Sequence, residues 1–584
     1  MKKRMFARLV ALAMVCAILA GCGAQPASTP AAASEEETTS QAVSAEESAA
    51  AAEVQAEPEQ AEEPGVSEEV EEASAEEPED GPDYREPLSY PLADGDVSFT
   101  ILHAEPALGP MSGQMGMDDY GDFETIAAGT EYIGVTPEWN SLSMMSGDTQ
   151  FNLIVASGDY PDVFTAIDKY YAGGFAKALE DEVIIRIEDE DMASNMPEYW
   201  NMLEDDADLK RAVTSDDGEF LAWYSVFDKT IVNEGYFIRK DWCDKLGMDV
   251  PETIDDLNDF VYAAKSEFDL PSVLVMGDGL GTMVEAYGIG STVSSGAGFA
   301  YHREGDAIVA DITSPVYHEY VEQLHQWYAD GIVSQNFTEL DTGNMSGDIE
   351  RELAANRTAV VRTMVNSMDN LLNDDPDFEL APMVVTLDGG NIHTGQGERQ
   401  FDSCSISTRC DEDLIPYILG WMNYWYTEEG AMAGSYGVEG LDYEINADGS
   451  ISYLPNITEN ALGYPPMLYS RARCFSGASF GLMYQDRTVP FFTEAQTNAI
   501  DVWTSRTDNE AAVPQTLSLN TEESQVVAQY ATDLATYISE VIPKFVTGEK
   551  PLSDWDAFMN DVNSMHVEEL TAVYQAAFDR YFED

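Results

Sequence analysis

Basic residues are scarce in this chain. Its 584 residues include only 28 Lys and Arg against 108 Asp and Glu, which gives a formal net charge of −80. The resulting field repels nucleic acids and other polyanions, so neither is expected as a partner. It favours neutral or cationic ligands, although a local basic pocket could override it.

Long apolar runs are almost absent as well. One run, at 9–19, follows Lys2, Lys3, Arg4 and Arg8 at the start of the chain. It is too short to span a bilayer as a permanent helix, and the basic residues before it are typical of a secretory signal. No second long run follows, so the rest of the chain is not expected to cross a membrane.

Cys22 closes this signal in the motif LAGC at 19–22. The motif resembles the lipobox of bacterial lipoproteins. That resemblance implies cleavage before Cys22, with diacylglycerol on its sulfur and usually a further acyl chain, such as palmitate, on its amine. Two or more acyl chains make a stable anchor. Residues 1–21 are therefore expected to be a lipoprotein signal peptide, and the mature protein to be lipid-anchored on the extracytoplasmic face of the cell membrane. The alternative is an ordinary signal peptide with a chance cysteine.

Large apolar side chains are nearly missing from residues 22–87. This segment consists mainly of Ala, Glu, Ser and Pro, and from residue 23 onward it carries 20 acidic residues against one basic residue, Arg85. Such a composition cannot bury enough surface to offset the entropy of the chain, so we expect a disordered stalk. The body at 88–584 is long enough for two lobes with separate cores.

Cysteine is also scarce, and four of the six cysteines lie in the body: Cys243, Cys404, Cys410 and Cys474. In an oxidising compartment Cys404 and Cys410 could pair across a short loop, since only five residues separate them. Free buried thiols are the equal alternative.

Catalytic and metal-binding motifs are weak or absent. The segment GASFG at 477–481 matches the pattern around some nucleophilic serines, with His566 downstream, yet no buried strand is predicted before Ser479. The six histidines show no metal-protease spacing. The acidic segment from Asp442 resembles a calcium loop but has Tyr453 in place of the closing glutamate, so a β-turn is expected there. We predict a protein that is not an enzyme and that has no metal and no cofactor.

The body alternates between strand and helix patterns. This alternation predicts an α/β fold with a mostly parallel sheet and helices on its faces. Thr253 is predicted to cap a helix together with Asp256, and Gly331 to end another. The predicted strands lie at 97–102, 136–141, 163–164, 220–226, 272–276 and 358–361, with a hairpin at 300–310; the predicted helices include 120–132, 147–156 and 317–330.

Several segments, in order along the body, resemble the extracellular solute-binding proteins of ABC importers, specifically the family 1 type that includes sugar binders. These segments are FNLIVASGDYPD at 151–162, IRKDW at 238–242 with PET at 251–253, WYADGI at 327–332, YWYTEEG at 424–430 with YGVEG at 436–440, and FVTGEK at 545–550.

The resemblance implies a two-lobed periplasmic-binding-protein-like fold with a hinge, which closes on a ligand in the cleft. We place lobe one at about 95–230 and 381–430, and lobe two at about 231–380 and 431–584. The implied partners are a small solute, ABC permease subunits and a cytoplasmic ATPase, and the protein itself is expected to be a monomer.

The ligand is expected beyond the carboxyl ends of the parallel strands. This rule selects the loops that follow Leu102, Phe164, Val226 and Met276. In the loop at 165–174, Asp168 and Lys169 can bond sugar hydroxyls, and the ring of Tyr170 can stack on a sugar. In the sugar-binding relatives the corresponding loop contacts the ligand.

A glycine-rich loop at 277–282 supplies two further candidates, Gly279 and Thr282. It follows a predicted strand and precedes a predicted helix, so its free backbone N–H groups would face the cleft. It has neither the dinucleotide nor the Walker pattern, so a nucleotide is not expected. The remaining ligand-binding candidates lie near strand ends: Trp139, Trp223, Tyr224, Glu105, Arg362 and Asn366.

Two functions are compatible with these features. The first is a binding protein that captures an oligosaccharide or a similar solute and delivers it to a permease. The second is a surface enzyme that cleaves glycans, which would need two carboxylates placed about 5–10 Å apart. No motif nominates such a pair.

Overall fold

The signal sequence, Cys22 and most of the predicted stalk lie outside the residues that the structure describes. The structure, a computed structural model, describes residues 83–583 apart from 105–113, 118, 143–146, 172, 276–282, 290–292, 295–299, 338–347, 371–374, 394–398, 475–479, 509–511, 515–516 and 518. None of the helices in the described part of the chain is both long and apolar enough to cross a bilayer.

Fourteen strands lie among the described residues. They are β1 (Val97–Ala104), β2 (Val135–Leu142), β3 (Val163–Thr165), β4 (Trp223–Phe227), β5 (Glu234–Arg239), β6 (Val293–Ser294), β7 (Ala300–Glu304), β8 (Ala307–Ala310), β9 (Val360–Met364), β10 (Leu380–Met383), β11 (Gln400–Ile406), β12 (Tyr443–Ile445), β13 (Ile451–Tyr453) and β14 (Leu482–Met483).

The α-helices of the same residues are α1 (Glu124–Ile133), α2 (Gly147–Ser157), α3 (Ile167–Tyr170), α4 (Gly174–Glu180), α5 (Asp189–Asn195), α6 (Pro197–Glu204), α7 (Ala207–Val213), α8 (Lys240–Leu246), α9 (Ile254–Glu267), α10 (Pro315–Ala329), α11 (Asp348–Ala354), α12 (Ile415–Tyr424), α13 (Glu428–Tyr436), α14 (Pro455–Thr458), α15 (Pro466–Arg473), α16 (Glu494–Ser505), α17 (Thr521–Thr547), α18 (Trp555–Ser564) and α19 (Val567–Tyr581).

A six-stranded sheet in the order β14-β4-β11-β3-β1-β2 forms the first lobe. All of its strands run parallel except β11, which is antiparallel to both of its neighbours. Because side chains alternate across a strand, the two faces of the sheet enter different cores. Ile101 packs in one core and Leu102 in the other, and both are fully buried. The mostly parallel sheet that the sequence predicted is therefore confirmed.

The second lobe is built on the antiparallel sheet β10-β5-β9. One of its cores gathers residues from α9, α10, α17 and α19, and another forms where α16 packs on β5. A glycine is required at 235 in β5, because a Cβ atom there would lie 2.4 Å from Cε2 of Trp503. The indole ring therefore lies directly on the backbone of this strand.

Three connections join the two lobes: 228–233, 384–399 and 484–493. They run side by side where they leave the first sheet. The rings of Phe227 and Phe401 stack with their centroids 4.3 Å apart, and Nζ of Lys229 is 2.7 Å from the carboxylate of Asp486. This bundle of connecting segments is the expected position of a hinge.

Two segments lie in the other lobe from the one predicted. Residues 381–383 were assigned to lobe one at about 381–430, but they belong to the strand Leu380–Met383, which pairs with β5 and has its apolar residues buried in the second lobe. Leu482–Met483 was assigned to lobe two at about 431–584, but it pairs with the end of β4. The number of crossings is the one predicted, but the second segment of the first lobe continues to β14 and does not end near residue 430.

The last residues of the predicted stalk are docked on the first lobe. The indole N–H of Trp200 donates to the carbonyl of Asp83 over 2.9 Å, and the backbone N–H of Arg85 donates to Oδ1 of Asn201 over 2.7 Å. These bonds fix the backbone against α6, which composition alone does not reveal. The prediction that 83–87 belongs to a disordered segment is therefore wrong.

Several local predictions are confirmed. Thr253 and Asp256 form a reciprocal capping box at the start of α9, and Gly331 has a positive φ of 67° directly after the end of α10. The predicted hairpin at 300–310 is β7 and β8, and the turn predicted after Asp442 joins β12 to β13.

Other local predictions are wrong. The segment 165–174 is not a plain loop, because it contains α3 and begins α4. The strand predicted at 272–276 is reduced, in its described part, to one bridge between Leu274 and Val333. No disulfide joins Cys404 to Cys410, in agreement with the second of the two alternatives left open by the sequence, and burial raises the pKa of Cys410 to about 12.

Candidate functional site

The carboxyl ends of β3 and of its neighbours create one edge of the first sheet. Thr165, the last residue of β3, lies opposite Cys404, which in turn lies opposite Trp223 at the start of β4. The beginning of β4 is therefore level with the end of β3. This stagger brings Tyr224 close to the segment that follows β3.

Asp168 lies in α3, one turn beyond the end of β3. Its Oδ1 accepts a hydrogen bond from Oγ of Ser403 over 2.5 Å, and Ser403 is opposite Tyr224 in the sheet. Burial, together with the charge of Asp168, raises the pKa of Tyr224 above its ordinary value. The phenol therefore stays neutral and can donate a hydrogen bond, while the carboxylate accepts one.

A cavity of about 420 Å³ opens beside these two side chains. It is lined from the first lobe mainly by small and apolar residues, and from the second lobe by residues that precede or begin α17. The lining residues are Asp168, Gly173, Gly174, Phe175, Ala176, Ala212, Val213, Thr214, Ser215, Leu221, Ala222 and Tyr224 from the first lobe, and Leu517, Leu519 and Ser524 from the second.

The cavity has the chemistry of a site for a neutral polar ligand. Phe175 and Tyr224 present aromatic surface, with ring centroids 6.4 Å apart, and hydroxyl groups come from both lobes. Asp168 is the one ionisable carboxylate among its lining residues. Apolar surface with a few convergent polar groups is typical of small-molecule sites.

An ion pair beside the cavity joins the two lobes. Nε of Arg580, on α19, donates to Asp216 of the first lobe over 2.7 Å, and the same guanidinium pairs with Glu523 of its own lobe. Asp216 and Glu523 adjoin the lining residues Ser215 and Ser524. The ion pair thus holds the two walls of the cavity together.

Lys169 points its ammonium group to the carboxylate of Asp402. Asp402 lies at an irregularity of β11, with a φ of 42°, and this bulge moves its side chain out of the strand ladder. Burial alone would lower the pKa of Lys169, but the charge of Asp402 outweighs it and raises the pKa. The positive charge of Lys169 is therefore balanced by the carboxylate of Asp402, and Lys169 is not among the cavity-lining residues.

Tyr170 does not line the cavity either. Its ring packs against Phe151 of α2, with centroids 5.6 Å apart, and its hydroxyl group lies over Gly147. The ring is half-buried at the margin of the smaller core of the first lobe. The aromatic partner of Asp168 in this structure is therefore Tyr224 and not Tyr170.

The two tryptophan candidates lie apart from the cavity. Trp223 is fully buried, because β4 is a central strand and the indole enters the core of the first lobe. Trp139 is half-buried in an aromatic cluster with His103, Tyr120 and Phe480 near the carboxyl end of β1. Its indole N–H is buried and has no hydrogen-bond acceptor in the described part of the chain.

Arg362 and Asn366 lie in the second lobe. Arg362 is inside β9, where a strand ending at 361 had been predicted, and its guanidinium bonds Glu234 and, over 3.1 Å, Glu285. Burial alone would lower the pKa of Arg362, but the charge of Glu285 outweighs burial, so the pKa is raised above its ordinary value. Asn366 is exposed directly after β9. Neither residue lines the cavity of Asp168.

Three candidates lie outside the described residues: Glu105, Gly279 and Thr282. Ser479, which the hydrolase pattern nominated, also lies outside them. No grouping of three or more potential metal ligands occurs among the residues that the structure describes.

Sequence reasoning missed several cavity residues. Ser403 lies more than 200 positions from Asp168 and meets it only because β11 is inserted between β3 and β4. Leu517 and Leu519 come from a segment without a distinctive motif. A larger cavity of about 810 Å³, between α1, α12 and α13, contains none of the predicted residues.

Comparison with known proteins places this architecture among solute-binding proteins. The structure aligns with an HMO binding ABC-transporter associated solute binding protein from Bifidobacterium longum infantis at a TM-score of 0.65 and 14% identity, over 84% of this chain and 100% of that one. It aligns with the Streptococcus pneumoniae ABC-transporter substrate binding protein FusA, solved in complex with kestose, at a TM-score of 0.59 and 17% identity, over 83% of this chain and 99% of that one.

The chain has the two-lobed solute-binding-protein fold. The fold predicted from the sequence is thus confirmed. In sequence, the chain is 22% identical over 339 residues to Lipoprotein LipO of Bacillus subtilis (strain 168), which covers 54% of this chain and 63% of that protein. It therefore spans less than two thirds of the curated relative it matches. No family model matches the chain.

Proposed function

We propose that this protein is the substrate-binding component of an ABC importer, of the sugar-binding family 1 type. It captures an extracellular oligosaccharide between its lobes by hinge closure and delivers it to permease subunits that a cytoplasmic ATPase drives. One observation carries this proposal: the cavity at the strand ends has walls from both lobes and places the Asp168 carboxylate beside the Tyr224 phenol. Among the neighbours of the same fold, the substrate binding protein FusA was solved in complex with kestose.

The cavity favours binding over cleavage. A glycosidase needs two carboxyl groups about 5–10 Å apart, one on each side of the scissile bond. Among the described residues that line this cavity, Asp168 is the single carboxylate. Asp168 can therefore orient a sugar through its hydroxyl groups, and Tyr224 and Phe175 can cover the apolar face of the ring.

Membrane attachment through Cys22 is part of the proposal. Lipid on Cys22 and the acidic segment that follows would hold the body at the outer face of the membrane, next to the permease. Cys22→Ser should release the protein from the membrane or leave its signal uncleaved. An unchanged membrane fraction for this variant would contradict the anchor.

The central experiment is a thermal-shift screen of the mature protein against oligosaccharides, followed by calorimetry. A ligand present at 100 times its Kd stabilises the folded state by about 2.7 kcal/mol, which raises the melting temperature measurably. The ligand should be recovered intact, and X-ray scattering should give a smaller radius of gyration when it is bound. New reducing ends would instead indicate a glycan-cleaving enzyme.

A further inference from the structure

A cavity in the first lobe has no part in the proposed function. It has a volume of about 810 Å³, lies between α1, α12 and α13, and shares no lining residue with the cavity of Asp168. Four of its lining residues are tyrosines and four are glutamates, and no Lys, Arg or His is among the described residues that line it. Aromatic rings and carboxylates together bind cations, because each attracts a positive charge.

One wall of this cavity is a single face of α1. Thr125, Ala128, Gly129 and Tyr132 line it, at the spacing that places residues on the same side of a helix. A Cβ atom at position 129 would lie 2.5 Å from the ring of Trp425, so the glycine allows α1 to pack directly against the end of α12. From Thr125 to Tyr132 the wall is about 10 Å long, at about 1.5 Å per residue. We call this cavity the α1 groove.

Fixed aromatic rings form part of the α1 groove. The rings of Tyr90, Tyr132 and Tyr424 contact one another, with centroids 5.5–5.8 Å apart. The hydroxyl group of Tyr90 donates to the carbonyl of Gly420 over 3.1 Å, so the segment that follows the docked end of the stalk is held in this position. Tyr132 nevertheless keeps 49% of its surface exposed, and Ile445 of β12 keeps 51%. Exposed apolar side chains on a rigid aromatic base are typical of an interaction surface.

Carboxylates line the α1 groove beside these rings. Glu428 and Glu429 are exposed in the first turn of α13, and Glu439 is exposed just beyond this helix. Glu439 forms an isolated β-bridge with Tyr443, and burial together with the charge of Glu439 raises the pKa of Tyr443 to about 12. Burial together with the charge of Glu429 likewise raises the pKa of Tyr424. A cation in the groove can therefore lie near a ring and a carboxylate at once.

The charge of the α1 groove selects its occupant. The acidic segment at 23–87, with 20 acidic residues against one basic residue, is repelled by the carboxylates of the groove. A second copy of this chain would bring a further net charge of −80, and anionic lipid headgroups would be repelled as well. A basic segment of a partner protein complements the groove in charge, and its apolar side chains complement the exposed Tyr132 and Ile445. The length of the groove accommodates about three residues of an extended chain.

We propose that the α1 groove is a docking surface for a basic segment of a partner protein. About three residues of this segment lie extended along α1. A Lys or Arg side chain lies on the ring of Tyr132 with its charge toward Glu428 and Glu429, and an adjacent apolar side chain packs on Ile445. The groove and the cavity of Asp168 have no residue in common, so this inference holds whatever solute the protein captures.

The test uses the full-length protein in a nonionic detergent and a short, fluorescently labelled peptide in which leucine alternates with lysine. The matched probe is the same peptide with acetylated lysines, which keeps the stem of each lysine and removes its charge. We expect fluorescence anisotropy to show that acetylation weakens binding about tenfold. Amide hydrogen exchange should slow at 124–133 and 428–445 when the lysine peptide binds.

Glutamate variants separate docking in the groove from a general attraction to an acidic protein. Replacing Glu428, Glu429 and Glu439 together by Gln should weaken binding of the lysine peptide about tenfold. The control replaces three exposed glutamates elsewhere by Gln and changes the net charge equally, so its affinity should stay within about twofold of the parent. The control positions are Glu494, Glu540 and Glu568.

The apolar contacts have their own variants. Tyr132→Ala and Ile445→Ala should each weaken binding of the lysine peptide about fivefold, through lost apolar burial and, for Tyr132, a lost cation–π contact. Tyr132→Phe should keep the affinity of the parent, because an aromatic ring remains. Leu153→Ala is the matched control, since Leu153 is 65% exposed on α2 and does not line the groove.

Each result supports or overturns the inference. Equal weakening by the two sets of glutamate variants, or full affinity in both Tyr132→Ala and Ile445→Ala while they melt like the parent, would overturn it. Attachment to phosphatidylglycerol vesicles that requires Tyr132 would assign the surface to a membrane and overturn the protein partner. Saccharide binding should be unchanged in all of these variants, so a failure of the proposed function is detected separately.

Discussion

Replacing Asp168 should weaken ligand binding with little effect on stability. Asp168 is exposed at the cavity, and among the described residues its hydrogen-bond partner is the hydroxyl group of Ser403. Loss of a carboxylate that bonds a ligand hydroxyl costs about 1–3 kcal/mol, which is about 5- to 150-fold in Kd. The bond from Ser403 contributes about 1 kcal/mol to folding, so the melting temperature of Asp168→Ala should fall by only a few degrees.

Tyr170→Ala is the informative comparison. The ring of Tyr170 packs on Phe151 and does not line the cavity. Truncation removes half-buried aromatic surface and should lower the free energy of unfolding by about 2 kcal/mol, less than for a fully buried ring. The affinity for the ligand should stay within about twofold of the parent, because no cavity contact is lost.

Calorimetry and thermal melts on the two variants separate the two effects. We expect Asp168→Ala to change Kd far more than the melting temperature, and Tyr170→Ala to do the opposite. Tyr224→Phe, which removes only the phenolic hydroxyl group, should behave like Asp168→Ala. Unchanged affinity in both Asp168→Ala and Tyr224→Phe would refute the assignment of the cavity.

Three further predictions concern stability and closure. Deleting 23–82 should leave the melting temperature of the body unchanged, whereas deleting 23–87 should lower it through lost contacts to α6; equal melts would contradict the docking. His302 has a raised pKa, because its bonds to Asp311 outweigh burial. Its stabilising effect should be complete below pH 6.5 and be lost as pH rises through the raised value; His302→Gln should abolish this dependence in urea unfolding. Arg580→Ala should increase the radius of gyration of the empty protein in X-ray scattering, with Arg580→Lys intermediate; an unchanged radius would contradict the interlobe ion pair.

Local features of this protein were predictable because they depend on neighbouring residues. The capping box at Thr253, the glycine after α10 and the hairpin of β7 and β8 each follow from spacing within a few positions. Strand–helix alternation, with apolar strands that are buried on both faces, was enough to predict a mostly parallel sheet. Composition likewise distinguished the acidic segment from the body. It could not predict the contacts that Asp83 and Arg85 make with the first lobe.

The sequence by itself thus determined the α/β class, the order of most elements and the position of Asp168 just beyond a strand end. Only the tertiary structure decided what meets Asp168 there. The strand order β14-β4-β11-β3 brings Ser403, Tyr224 and the segment after Met483 to one edge, although they are far apart in the chain. The packing of α3 on α2 likewise places the ring of Tyr170 against Phe151, and Tyr170 does not line the cavity. Spacing along the chain cannot predict these contacts, because long-range strand pairing and the packing of both lobes determine them.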